Sequence, residues 1–265
     1  MRAVRPLRRP RGLPLRAVAP NAVTALALCS GLSGIRFAIQ HQWAMAVVMV
    51  LLAGVLDGLD GRVARMLRGE SRFGAELDSL SDAISFGVSP ALILYLWSLS
   101  TLPRFGWTAA LMLAVFCALR LARFNAAIDA DDQPHKSAGF LTGAPAPAGA
   151  GLSLLPMFLW FATGEPVFRS PYLVAPWTVF VAVLMVSSVA TFSWSSLRLR
   201  RNVRFEAIAI VVVFGAAAVS APWETLSLVC VAYLLALPFS IASYARVRRL
   251  RASAAADAAK PTTSA

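Results

Sequence analysis

The chain has 265 residues, 58% of them hydrophobic, a mean hydropathy of +0.67 and a formal net charge of +12. Soluble domains are about 45–50% apolar, so this composition excludes a water-soluble globule and points to a membrane. The positive charge alone would suit nucleic acid, but it is segregated along the chain in a way that nucleic acid does not require.

The first 19 residues hold Arg2, Arg5, Arg8, Arg9, Arg11 and Arg16 and no acid. Pro6, Pro10 and Pro14 oppose the amphipathic helix of a transit peptide, so the stretch reads as a basic cytoplasmic tail. A hydrocarbon core about 30 Å thick needs about 20 apolar residues per helix. Several segments meet that length, and helices are predicted at 20–40, 44–68, 74–99, 105–126, 147–164, 172–193, 205–220 and 224–246. They make residues 20–250 a single transmembrane domain with no soluble domain left over. Residues 251–265 are small and polar and read as a disordered tail. The expected fold class is therefore all-α, a polytopic membrane helix bundle of about eight transmembrane helices.

With eight spans, the basic residues sort by side. Arginines crowd the N-terminal tail, the end of the second helix (Arg62, Arg65, Arg68, Arg72) and the end of the fourth (Arg120, Arg123). More follow the sixth (Arg198, Arg200, Arg201, Arg204) and the eighth (Arg246, Arg248, Arg249, Arg251), leaving Arg36, Arg104 and Arg169 for the opposite side. This positive-inside pattern predicts that both termini are cytoplasmic. It also predicts attraction to anionic membrane lipids rather than nucleic acid. Cys29, Cys117 and Cys230 lie far apart in apolar segments, and His41 and His135 are isolated, so neither disulfide nor zinc is expected.

Charge in a membrane helix is costly and reads by default as functional. Four of the eight aspartates, Asp57, Asp60, Asp78 and Asp82, fall within 26 residues of otherwise apolar flanks. Asp57 and Asp60 share a helical face with Gly61 and Ala64, and Asp78 and Asp82 share a face of the next helix. In an antiparallel hairpin, Asp57 meets Asp82 and Asp60 meets Asp78 at nearly one height. Four like charges there need a counter-charge, and carboxylate oxygens suit Mg²⁺, Mn²⁺ or Ca²⁺. Two ions would balance the four acids and polarise a phosphoryl group. Gly61 and Ala64 remove bulk where a ligand must approach the backbone, and Arg65 is placed to meet phosphate. Paired acids also form salt bridges to arginines, or relay protons in a carrier, and charge alone leaves that reading open.

The spacing D-x2-D-G-x2-A-R-x8-G-x3-D-x3-D, running from Asp57 through Gly74 to Asp82, resembles the signature of the CDP-alcohol phosphatidyltransferases at every fixed position. The resemblance implies a helical membrane enzyme, a homodimer, with a polar cavity open to the cytoplasm and a CDP-linked lipid donor. It implies divalent metal, Mg²⁺ or Mn²⁺ and up to two ions, held by Asp57, Asp60, Asp78 and Asp82, with Asp82 as general base. CDP-diacylglycerol would be contacted by Asp60, Gly61, Ala64, Arg65 and Gly74, with Asn21 and Thr24 adding phosphate hydrogen bonds.

Further stretches resemble the family's bacterial members that use serine: PNAVTALALCSGLSGI (20–35), SDAISFGVSPALIL (81–94), RLARFN (120–125) and FLTGAPAPAGAG (140–151). The last departs from the pattern, with Ala144 where Leu is expected. The implied reaction moves the phosphatidyl group of CDP-diacylglycerol to the serine hydroxyl and releases CMP. The serine carboxylate calls for a guanidinium fork, for which Arg120 and Arg123 are candidates with Asn125 assisting; their bland role is membrane anchoring. Alternatives are another acceptor, glycerol 3-phosphate or an inositol compound, or an ion-coupled carrier. The arginine-rich, lysine-poor composition fits a GC-rich bacterial genome and hence a bacterial inner membrane. From about Leu152 no motif stands out, and that half reads as dimer or lipid-facing scaffold.

Overall fold

The computed structural model describes residues 15–67, 71–128, 140–187, 190–192 and 204–239. The expectations for the tail up to residue 14, for Arg68, for His135 and Lys136, for Arg198, Arg200 and Arg201, and for everything beyond 239 lie outside the described residues.

Helix α1 (Leu15–Ile39) contains Pro20 and begins five residues earlier than predicted. A short turn closed by Gln42 N–H to the Phe37 carbonyl reverses the chain into α2 (Trp43–Leu67). Helix α3 (Arg72–Asp82) starts at Ser71, whose side chain caps it by accepting the Gly74 N–H at 3.0 Å. A wide π-helical turn (Ala83–Val88) and α4 (Ser89–Trp97) continue the same rod, so Arg72–Trp97 is long and apolar enough to cross a membrane. Helix α5 (Phe105–Ile128) returns.

The predicted helix 147–164 is in fact two helices, α6 (Ala146–Ser153) and α7 (Leu155–Thr163), bent by 41° at Leu154. Pro156 lacks an N–H and cannot continue an unbroken ladder there. Helix α8 (Pro171–Val186) has 16 residues and stops well short of the predicted 193. Its continuation is strand β2 (Ala190–Phe192), paired antiparallel with β1 (Phe140–Thr142). Among the described residues this three-residue pair is the exception to an otherwise helical architecture. Helices α9 (Arg204–Ser220) and α10 (Pro222–Phe239) complete the described part.

Five described helices are long and apolar enough to span a bilayer, or six if the bent α6–α7 pair is one span. α8 and α9 are shorter, at 16 and 17 residues. The chain is a multi-pass membrane protein.

The two ends of the bundle differ in chemistry. Trp43, Trp97 and Trp160 surround Arg169, whose guanidinium carbon lies 5.6–6.0 Å from the three ring centres. Arg169 Nε also donates to the Trp97 carbonyl, and Ser98 Oγ donates to the Arg169 carbonyl. Arg36 and Arg104 stand at this end too, at the finish of α1 and just before α5. The aspartates lie toward the opposite end: Asp57 is 14 residues beyond Trp43 on α2, about 21 Å along the axis. Between the ends, Ile93, Leu94, Leu113, Met157, Phe158, Val181 and Met185 form a dry core.

Candidate active site

Asp57, Asp60 and Asp78 present carboxylate oxygens that all lie within 4.8 Å of one another. The Asp57 and Asp82 carboxyl groups are close enough to interact directly. All four acids predicted to converge thus meet where α2 and α3 face each other. Asp60 is buried, and Asp57, Asp78 and Asp82 are half-buried. The donor set is oxygen only, anionic and compact, which fits a hard divalent cation and leaves the acids uncompensated without one. Asp57, Asp60 and Asp78 are the residues that would hold it, with Asp82 alongside.

A cleft of about 340 Å³ opens beside Asp60 and Asp78. It is lined by Pro20, Asn21 and Thr24 of α1, Gly61, Ala64 and Arg65 of α2, and Ser71, Gly74 and Ala75 at the start of α3. Every residue singled out for the CDP-lipid therefore borders one space. The two glycines serve it differently. A β-carbon on Gly61 would meet nothing within 4 Å, so that helix face lies open to the cleft. A β-carbon on Gly74 would stand 2.8 Å from Asn21 Oδ1 and 3.2 Å from Ser71 Oγ. Gly74 thus lets α1 close on the capped start of α3.

Thr24 is buried and donates to Asp60 Oδ2 at 2.7 Å. Ser81 Oγ, one residue before Asp82, donates to the Thr24 carbonyl at 3.3 Å.

The three residues considered for serine are separated. Arg120 is half-buried, interacts electrostatically with Asp82, and has its Nε unpaired among the described residues. Arg123 points elsewhere: its two terminal nitrogens donate to the carbonyls of Val186 (2.8 Å) and Ser187 (3.3 Å) at the end of α8. Asn125 donates to Ser79 Oγ at 2.8 Å and ties α5 to α3. An i, i+3 spacing places two side chains on one helix face, but here a neighbouring helix end claims the second.

Sequence reading missed Ser81, Ser71 and Tyr233. The serines recur four apart at 81, 85 and 89, a visible signal of one buried face. Tyr233 of α10 is an electrostatic neighbour of Arg120 with its hydroxyl buried. It lies in the half without motifs, so nothing local marked it.

The sequence model of the CDP-alcohol phosphatidyltransferase family matches residues 17–194, and a second, for CDP-alcohol phosphatidyltransferase 2, matches residues 203–238. The chain belongs to the CDP-alcohol phosphatidyltransferase family. The family match runs from α1 through β2 and includes the whole aspartate cluster and its cleft. The CDP-diacylglycerol–serine O-phosphatidyltransferase of Mycobacterium tuberculosis is 40% identical over 233 residues, covering 88% of this chain and 81% of that one. The protein of the same name from Helicobacter pylori is 39% identical over 176 residues, 64% of this chain and 70% of its own. That from Methanocaldococcus jannaschii is 44% identical over 106 residues, 38% and 45% of the two chains.

Proposed function

We propose that this protein transfers the phosphatidyl group of CDP-diacylglycerol to the hydroxyl of L-serine, giving phosphatidylserine and CMP. The observation that carries the reading is a carboxylate cluster opening onto a cleft bordered by small residues and Arg65, in a chain 40% identical to serine O-phosphatidyltransferases.

The reaction breaks the bond between the phosphatidyl phosphorus and the CMP oxygen and forms one to the serine oxygen. The proton of the serine hydroxyl passes to Asp82, the acid of the cluster that interacts electrostatically with Arg120. Asp57, Asp60, Asp78 and Asp82 would hold divalent metal, Mg²⁺ or Mn²⁺ and up to two ions. Metal bound there would supply the positive charge that offsets the diphosphate and the leaving CMP. Gly61, Ala64 and Gly74 leave room for the cytidine diphosphate, while Arg65 and Asn21 give it donors. Phosphoryl transfer depends mainly on such positioning and electrostatics. Arg120 is the best placed of the predicted arginines for the serine carboxylate, since its guanidinium is beside Asp82 and keeps an unused donor.

The wider setting belongs to the same proposal. The chain sits in a bacterial inner membrane as a homodimer of about eight-span subunits, with both termini and the cleft on the cytoplasmic side. Segregation of Arg36, Arg104 and Arg169 at the tryptophan end supports that orientation. Anionic lipids would gather at the basic end.

An acceptor panel tests the reading. Purified protein with CDP-diacylglycerol and radiolabelled serine, glycerol 3-phosphate or inositol should label lipid from serine alone. Incorporation of another alcohol without serine would refute the choice of acceptor. Transport without CMP release would refute the enzyme.

A further inference from the structure

Thr24 borders the cleft, which suggests a contact to the donor's phosphates, but its hydroxyl is already engaged. The oxygen lies 2.7 Å from Asp60 Oδ2 and 3.1 Å from the Pro20 carbonyl, both acceptors. Threonine has one hydroxyl proton. Asp60 must be ionised to bind metal, and an ionised carboxylate makes the stronger bond. Diphosphate oxygens accept and do not donate, so Thr24 has no proton left for them. Both partners are closed off from solvent, Thr24 at 4% and Asp60 at 5% exposure.

The backbone of Thr24 works in the other direction. Its carbonyl accepts Ser81 Oγ at 3.3 Å, and the contact begins a ladder. Ser85 Oγ donates to the Ala27 carbonyl (3.4 Å) and Ser89 Oγ to the Gly31 carbonyl (2.8 Å). The rungs bind the α3–π-turn–α4 rod to α1 at successive heights. The aspartates lie on two other elements, Asp57 and Asp60 on α2, Asp78 and Asp82 on α3. Helix α1 touches both, and Thr24 is hydrogen-bonded to both, to Asp60 of α2 and to Ser81 of α3.

We infer that Thr24 is a positioning residue: its hydroxyl orients Asp60 and its carbonyl, through Ser81, sets α3 at the height where Asp78 and Asp82 meet the α2 pair. The inference rests on the reading of the cluster as a metal site. Partners that orient a metal's ligands typically contribute about 10–100-fold in metal affinity.

The test is Mn²⁺ titration of the full chain in lipid nanodiscs by electron paramagnetic resonance, beside CMP-release kinetics at saturating metal. Thr24→Val keeps the shape and deletes the hydroxyl. It should weaken Mn²⁺ binding about 10-fold or more while the KM for CDP-diacylglycerol stays within about twofold, and Thr24→Ser should restore the Mn²⁺ affinity. Wild-type Mn²⁺ affinity with a raised donor KM would assign the hydroxyl to the donor and overturn the inference. Should Thr24→Val not fold, Thr24→Cys replaces the oxygen by a weaker donor; unchanged Mn²⁺ affinity there overturns it equally. A wild-type chain that binds no Mn²⁺ refutes the metal site itself, whereas a wild type that binds beside an unaffected variant refutes only the role of Thr24.

Discussion

Gly31 of α1 and Ser85 of the π-helical turn pack backbone to backbone: a β-carbon on Gly31 would stand 2.8 Å from Ser85 Cα. No flexible side chain can yield there. Gly31→Ala forces the α3–α4 rod off α1, and overpacking of this kind costs about 1–3 kcal/mol. Thermal unfolding in detergent should show the lower midpoint, together with weaker Mn²⁺ binding as the aspartate pairs shift. Gly215→Ala, where nothing lies within 4 Å, should leave both unchanged.

Gly61 makes the opposite case. A methyl group on it clashes with no protein atom, so Gly61→Ala should fold with an unaltered midpoint. It enters the space proposed for the CDP group. The expected result is a KM for CDP-diacylglycerol raised about tenfold or more, equivalent to about 1.4 kcal/mol, with little change in Mn²⁺ affinity. A wild-type KM would show that the donor does not pass this helix face.

Asp82 and Asp60 should separate turnover from metal binding. A positioned base contributes about 10²–10⁴-fold, so Asp82→Asn should lower kcat by that order while Mn²⁺ binding persists through Asp57, Asp60 and Asp78. Asp60→Asn should lose Mn²⁺ binding and activity together. Full CMP release by Asp82→Asn would remove it as the base.

Chelation gives the corresponding loss without mutation. Exhaustive EDTA treatment should abolish CMP release, and added Mg²⁺ or Mn²⁺ should restore it. Activity surviving chelation would sink the metal reading.

Arg120 and Arg123 should also part company. Arg123→Lys gives up a two-pronged contact with the end of α8 and should lower the unfolding midpoint by the equivalent of about 0.5–1.5 kcal/mol, leaving the KM for serine unchanged. Arg120→Lys should raise the KM for serine severalfold with the donor KM intact. Equal effects of the two on serine would restore the shared fork that their spacing suggests.

The sequence by itself determined the membrane class, the helical repeat and the convergence of the acids. Helical periodicity and a tight hairpin fix which residues share a face and a height, and both are local. That is why the meeting of Asp57 with Asp82, and of Asp60 with Asp78, is legible in the sequence. Helix ends are less so: α8 stops at Val186, where Arg123 donates to the last carbonyls, and β2 pairs with β1 from Ala190, and those partners are distant in sequence. Tertiary structure alone decided that Arg123 serves α8, that Tyr233 reaches Arg120, and that the hydroxyl of Thr24 belongs to Asp60. The physical reason is common to all three. A polar side chain in a dry bundle takes whichever partner the neighbouring helix brings near, by hydrogen bond for Arg123 and Thr24 and by electrostatics for Tyr233, and no local pattern records which helix that is.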